Sequence, residues 1–132
     1  MIYLLDTNIW IALARKEPSV LRRVSDIGPK LIATCSVVRA ELLFGARKSQ
    51  RVEENLLGFE RLLAPFRSLP FDDAAAAHYG VIRAVLESSG TPVGANDLMI
   101  AAIARTHDCL LVTRNSREFR RVAGLKLAEW DT

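Results

Sequence analysis

Cysteine, histidine and long apolar runs are all scarce in this chain, and each scarcity closes off a class of protein. Two cysteines among 132 residues, Cys35 and Cys109, make no disulfide framework and lack the paired spacing of a zinc site. Each stands beside apolar residues, Ile32-Ala33 and Leu110-Leu111-Val112 respectively, so both are expected as small buried side chains. His78 and His107 are isolated from each other and from any cysteine pair, and are expected on the surface or at helix ends. No uninterrupted apolar run approaches the roughly 20 residues that span a bilayer. The apolar stretch of residues 2–5 is too short for a signal peptide, and Asp6 interrupts it. The 5 prolines and 7 glycines are scattered, which leaves no linker, low-complexity arm or internal repeat. Aromatic residues, 7% of the chain, fall mostly at core-like positions. They offer no stacking platform of the kind single-strand nucleic-acid binders use. One cytoplasmic domain over residues 1–132, with no membrane association, is expected.

What the chain does contain is an ordinary globular balance, half apolar and a quarter charged, with a net charge of +3. That charge is a mild bias towards polyanions. An acidic cluster set within a basic chain would suit a metal-dependent enzyme acting on a phosphodiester.

Strand and helix signals alternate along the sequence. Residues 2–5 form a short continuous apolar run, the pattern of a fully buried strand. Asp6-Thr7-Asn8 supplies N-cap chemistry for a helix over residues 9–15. Pro18-Ser19 starts a second helix that Gly28-Pro29 stops, and residues 31–33 read as a second strand. Ser36 is a plausible N-cap for a helix reaching about Lys48. Leu56, Phe59, Leu63 and Phe66 then mark one face of another helix, whose end Pro65 makes ragged. Residues 68–71 are a weak strand candidate. Asp72 or Asp73 caps a helix over residues 74–88 that Gly90 and Pro92 terminate. Asn96-Asp97 opens a helix apolar nearly all round, hence central and buried. Residues 110–112 form a clear strand, 116–121 one or two helical turns, and 125–127 a last edge strand. This order predicts an α/β fold, a parallel sheet of four to five strands covered on both faces. The long helical stretch from Ser36 to Phe66 predicts a projecting helical hairpin.

Four carboxylates fall where such a sheet gathers ligands, in the crevice outside the strands' carboxyl ends. Asp6 follows the first strand. Taken alone it reads as an N-cap, but a site role gains from the rigidity of so apolar a strand. Thr7 and Asn8 can donate hydrogen bonds to it or to a phosphate oxygen. Glu41 lies within Val37-Val38-Arg39-Ala40-Glu41-Leu42-Leu43-Phe44, a mostly buried-looking helix, where charge is costly unless a cation matches it. Asp97 has equal claims as a first-turn acid favoured by the helix dipole and as a site residue. Glu118 follows the strand ending at Val112, and the hydroxyl of Thr113 faces the same crevice. Carboxylates brought together repel one another unless a cation sits between them, so a divalent-metal site is the leading hypothesis. Arg39, Arg47, Lys48 and Arg51, with Arg114, Arg117, Arg120 and Arg121, form two basic concentrations. Solvated helix faces explain most such runs, yet both flank candidate acids as a phosphate-binding rim would.

These segments resemble the PIN-domain ribonucleases. The likeness runs through Tyr3-Leu4-Leu5-Asp6-Thr7-Asn8, the stretch Ser36 to Gly45, Asn96-Asp97 with its apolar helix, and the stretch Leu111 to Phe119. The ending Val122-Ala123-Gly124-Leu125-Lys126-Leu127-Ala128-Glu129-Trp130 is similar to the closing segment of the VapC toxins within that family. Any one motif is weak, and the ordered set is specific. The resemblance implies a PIN-like α/β/α sandwich and a divalent-metal-dependent endoribonuclease, the toxin half of a type II toxin–antitoxin pair. It puts the metal, Mg²⁺ or Mn²⁺, on Asp6 and Asp97, with Glu41 and Glu118 completing the catalytic quartet. Thr7, Asn8, Thr113 and Asn115 support them, and Arg39, Arg114 and Arg117 are candidate substrate contacts. Many relatives carry Asp where Asn115 stands, so this chain has one charge fewer there. The resemblance further implies a VapB-type antitoxin, a homodimer, an RNA substrate such as tRNA, and operator DNA bound only through the antitoxin complex.

Other readings fit less well. A haloacid-dehalogenase-type phosphatase needs a second acid two residues after Asp6, where Asn8 stands. A receiver domain needs a phosphoacceptor Asp after its middle strand and a Lys after its last, and both are missing. A catalytically silent PIN-like module that only binds RNA or protein typically lacks one or more of the acids, and here all four positions are filled.

Overall fold

A computed structural model describes residues 1–130. Five strands form one sheet in the order β3-β2-β1-β4-β5, and every neighbouring pair is parallel. They are β1 (Tyr3–Leu5), β2 (Ile32–Cys35), β3 (Arg67–Leu69), β4 (Leu110–Thr113) and β5 (Lys126–Glu129). In β1, β2 and β4 successive residues are buried. Alternate side chains of a strand point to opposite faces, so both faces of the sheet's centre are covered, as a parallel sheet requires. The covering helices are α1 (Thr7–Ala14), α2 (Pro18–Ile27), α3 (Ser36–Lys48), α4 (Val52–Leu63), α5 (Asp73–Ser88), α6 (Ala95–Thr106) and the single turn α7 (Ser116–Phe119).

Chain order places the site. From β1 the chain crosses through α1 and α2 to β2 on one side, and β4 lies on the other side of β1. The strand order therefore reverses between β1 and β4, the topological switch point at which open α/β sheets bind ligands. Leu5 pairs with Val112, and the amide of Asp6 donates to the Val112 carbonyl at 3.0 Å. Asp6 thus leaves the sheet beside Thr113.

Local signals fixed most boundaries. Gly28 adopts φ 88° at the end of α2, a left-handed conformation that only glycine takes without strain. Asp72 caps α5 by accepting from the Ala75 amide at 3.0 Å. The fully buried Trp10 donates its indole N–H to the Leu5 carbonyl at 3.0 Å and meets the Phe66 ring edge-on at 5.0 Å. Both cysteines are buried and free, and burial pushes the Cys35 thiol up to about 11.

Several expectations need correction. Leu31 belongs to a 3₁₀ turn, Pro29–Leu31, and the second strand runs two residues further, to Cys35. Ser36 does not cap α3. Its hydroxyl accepts from the Phe71 amide at 3.0 Å, tying the helix start to the segment after β3. Phe66 lies beyond the end of α4, and its packing on Trp10 accounts for the periodicity that the sequence shows. The face of α3 around Glu41 is more open than its apolar sequence suggests, with Phe44 64% exposed. The α3–α4 hairpin forms as expected, and Leu63 is the only buried residue in α4.

One buried polar atom has no partner among the described residues, the hydroxyl of Thr34 in β2. A buried hydroxyl without a hydrogen bond costs about 1 kcal/mol or more. Thr34→Val keeps the shape and removes the polar group, and is expected to raise stability by about 1 kcal/mol. For a chain of this size that is a rise of about 4 °C in Tm, measurable by thermal and urea unfolding.

Candidate active site

Asp6 is the fixed point of the site. Its carboxylate accepts from the Ile9 amide at 3.1 Å and caps α1, and the residue is only 6% exposed. Burial raises its pKa above the ordinary 3.8, and the nearby charge of Glu41 adds to that. The hydroxyl of Thr113 and the amides of Ile9 and Asn8 pull the other way. The hydroxyl of Thr7 does not turn to Asp6. It donates to Oε1 of Glu41 at 2.9 Å, joining the start of α1 to the second turn of α3. Asn8 acts on Asp6 through its backbone, and its side chain is exposed.

Asp97 stands in the first turn of α6, which the backbone of Gly94 opens without any side-chain cap. The side chain of the neighbouring Asn96 is exposed. The carboxyl of Asp97 is pushed up to about 6, first by burial and then by the charges of Glu118, Glu41 and Asp6 in that order. The three other acids named from the sequence therefore all bear on Asp97, and Glu41 bears on Asp6 as well. Among the described residues none of them pairs with Lys, Arg or His. A shared cation fits that unmet charge. Among the described residues no three or more His, Cys, Asp or Glu side chains come together so as to hold a metal ion by themselves. A cation bound here would have to keep much of its water shell, as Mg²⁺ does.

Around the acids the structure divides the remaining candidates. Thr113 is fully buried and accepts from the Asn115 amide at 3.0 Å, while the Asn115 side chain caps nothing and is exposed. Arg39 is half-buried and Arg117 exposed, and neither enters an ion pair among the described residues. Arg114 differs from the expectation of a cation held out for substrate. Its guanidinium grips Glu17 through two nitrogens at 2.8 and 3.3 Å, and Nε donates to the Trp130 carbonyl at 3.2 Å. The sequence reading also missed Glu129, whose Oε1 accepts from the Ser116 hydroxyl at 2.7 Å. No side chain of its own caps α7.

A cleft of about 620 Å³ lies away from the acids. It runs between α1–α2 and α4, lined by residues including Leu13, Leu21, Val24, Phe59, Leu62 and Phe66. A neighbouring hollow of about 290 Å³ shares Ala14, Asn55 and Phe59 with it and reaches Glu41.

Comparisons with known proteins agree with this geometry. The PIN domain family profile matches residues 3–125. A Shigella flexneri protein named tRNA(fMet)-specific endonuclease VapC is 41% identical over 128 residues, 97% of either chain. Among solved structures, the DNA-bound VapBC of Salmonella typhimurium aligns at a TM-score of 0.93 with 36% identity, covering 98% of both chains. VapBC-1 of nontypeable Haemophilus influenzae aligns at 0.90 with 35% identity over the full length of both chains.

The crowding of acids has a measurable consequence for folding. Asp97 has an ordinary pKa of 3.8 and titrates near 6 in the folded protein. Between those values the folded state binds a proton that the unfolded state has lost. Stability therefore falls as pH rises through the window, and the penalty is complete above it. Asp97→Asn cannot ionise. It is expected to stabilise the metal-free protein at about pH 7.5 by on the order of 1–2 kcal/mol. The advantage vanishes by about pH 4. Urea midpoints of both proteins across pH, in EDTA, measure this directly.

Proposed function

Because the chain belongs to the PIN-domain family, we propose that it is a divalent-metal-dependent endoribonuclease of the VapC type. On this reading it is the toxin half of a toxin–antitoxin pair and hydrolyses phosphodiesters of a structured RNA such as tRNA. The observation that carries the reading is the gathering of Asp6, Glu41 and Glu118 around Asp97, without a cationic partner among the described residues, near the switch point between β1 and β4. The likeness to an endonuclease named for tRNA(fMet) favours tRNA over other RNA.

Asp6 and Asp97 are the residues to hold Mg²⁺ or Mn²⁺, with Glu41 and Glu118 completing the set. A cation held there would supply polarisation of a phosphate oxygen and a lowered pKa for an attacking water. The chain's own groups do the rest. Asp6 is rigid because the β1–β4 ladder and its cap on α1 hold it. Glu41 is aimed by the Thr7 hydroxyl, so Glu41 or Glu118 orients the water and accepts its proton. Thr113 supports Asp6 through its hydroxyl, and Asn115 supports Thr113 through its backbone amide. Arg39 and Arg117, neither of them in an ion pair among the described residues, would meet the RNA backbone, where cations supply affinity without sequence preference.

The partner reading follows from the apolar cleft. A VapB-type antitoxin would bury an apolar segment between α1–α2 and α4 and bring an Arg fork to the carboxylates by way of Glu41. Operator DNA would be bound through that complex, and a homodimer completes the assembly. The competing reading is a silent binding module, which the filled acidic quartet disfavours.

Purified protein incubated with total tRNA and Mn²⁺ or Mg²⁺ is expected to yield discrete fragments. EDTA abolishes them, and Asp97→Ala lowers the rate by roughly a hundredfold or more, since even groups that merely support a metal ligand are worth ten- to a hundredfold. Full cleavage by Asp97→Ala, or a full biological effect of Asp6→Ala, would leave the binding module as the better account.

A further inference from the structure

We propose that Glu129, on the final strand, is a positioning residue for the site, holding the one-turn helix α7 so that Glu118 reaches the other acids. The proposal rests on the nuclease reading above and assigns a part in it to the closing segment of the chain.

A four-residue helix is far too short to be stable by itself, and no side chain of its own caps it. It is held from outside. Oε1 of Glu129 accepts from the Ser116 hydroxyl at 2.7 Å and lies 3.4 Å from the Ser116 amide, so one carboxylate oxygen fixes the first residue of the turn. Ser116 is buried, where a hydrogen bond to an ionised acceptor is strong. Glu118 stands two residues further along that turn.

Glu129 is itself held in place. It pairs with Thr113 in the β4–β5 ladder, so the strand carrying the clamp is registered against the strand whose end lies beside Asp6. The next residue, Trp130, is gripped from both sides. Its amide donates to the Thr113 carbonyl at 2.9 Å, and its carbonyl accepts from Arg114. Arg114 is in turn anchored on Glu17 at the α1–α2 junction. The chain therefore joins Glu17, Arg114, Trp130, Glu129 and Ser116 to Glu118 by hydrogen bonds and short backbone steps. Three separate parts of the fold bear on the placement of one acid.

The experiment compares Glu129→Gln with Glu129→Ala in the full-length protein. Gln keeps the acceptor oxygen and loses the charge, while Ala loses both. RNA cleavage with Mn²⁺ is expected to stay within about threefold of wild type for Gln. For Ala kcat is expected to fall about ten- to a hundredfold with KM for RNA unchanged, the size usual for a residue that orients a metal ligand. Independently of activity, hydrogen exchange at the Arg120 amide, which donates to the Ser116 carbonyl at 2.8 Å, should quicken in Glu129→Ala and not in Glu129→Gln. Should the alanine variant fail to fold, Ser116→Ala deletes the same hydrogen bond from the donor side. A glutamine variant as poor as alanine would mean that the charge itself is used and would overturn the positioning role. So would an alanine variant with wild-type kcat, or a loss confined to KM. If the wild-type protein cleaves no RNA, the nuclease reading fails, and the Arg120 exchange rates still decide whether Glu129 holds α7.

Discussion

Four negative groups are forced together at the carboxyl edge of a parallel sheet, and the rest of the molecule is arranged to keep them there. Asp6 cannot turn away from its neighbours, because its amide belongs to the β1–β4 ladder and its carboxylate caps α1. A cap of that kind stabilises a helix by about 1 kcal/mol. Asp97 is held by α6, whose residues 100–104 are all buried. Asp6 and Asp97 are therefore held in place, and the repulsion of the neighbouring acids adds to burial in raising the proton affinity of both. That stored repulsion is what a divalent cation would relieve.

The two pairs of acids are built differently. Asp6 and Asp97 are short side chains set directly on the ends of β1 and α6, with little freedom to adjust. Glu41 and Glu118 are longer, half-buried, and steered by their surroundings, Glu41 by the Thr7 hydroxyl and Glu118 by the placement of α7. Rigid groups suit metal binding, where position decides affinity. Adjustable groups suit the handling of a water and a proton, where small movements accompany the reaction. This division supports the assignment of Asp6 and Asp97 as the metal-holding pair.

How much of this was legible in the sequence depended on range. The strand before Asp6, the break at Gly28, the cap at Asp72 and the buried helix after Asp97 are local events, set by a few adjacent residues, and they read correctly. The placing of Asp6 after a strand and of Asp97 in a helix's first turn was also legible, since strand ends and helix starts can be located from local pattern alone. The misreadings concern residues whose role is set by something distant in the chain. Ser36 looks like a cap until Phe71 arrives to claim its hydroxyl. Arg114 looks like a free phosphate contact until Glu17, 97 residues away, takes both of its terminal nitrogens. Glu129 carries no local signal at all, because an acid on an edge strand is ordinary until its hydrogen bond to Ser116 is seen. Even the neutral Asn115 is used through its backbone amide, a role that any residue but proline could fill.

The same unmet charge connects catalysis to its control. The apolar cleft between α1–α2 and α4 continues into the hollow that contains Glu41. A partner lying in it would bury apolar side chains and, at its end, meet carboxylates that lack a cation among the described residues. A guanidinium there would gain two charge-assisted hydrogen bonds and would also relieve the repulsion that a metal otherwise relieves. Metal and antitoxin would then compete for one electrostatic deficit. An inhibitor using that deficit needs no distortion of the fold, because the affinity of the site for positive charge is built in by the sheet. The four acids that make the chain a nuclease on this reading are thus also what make it easy to silence.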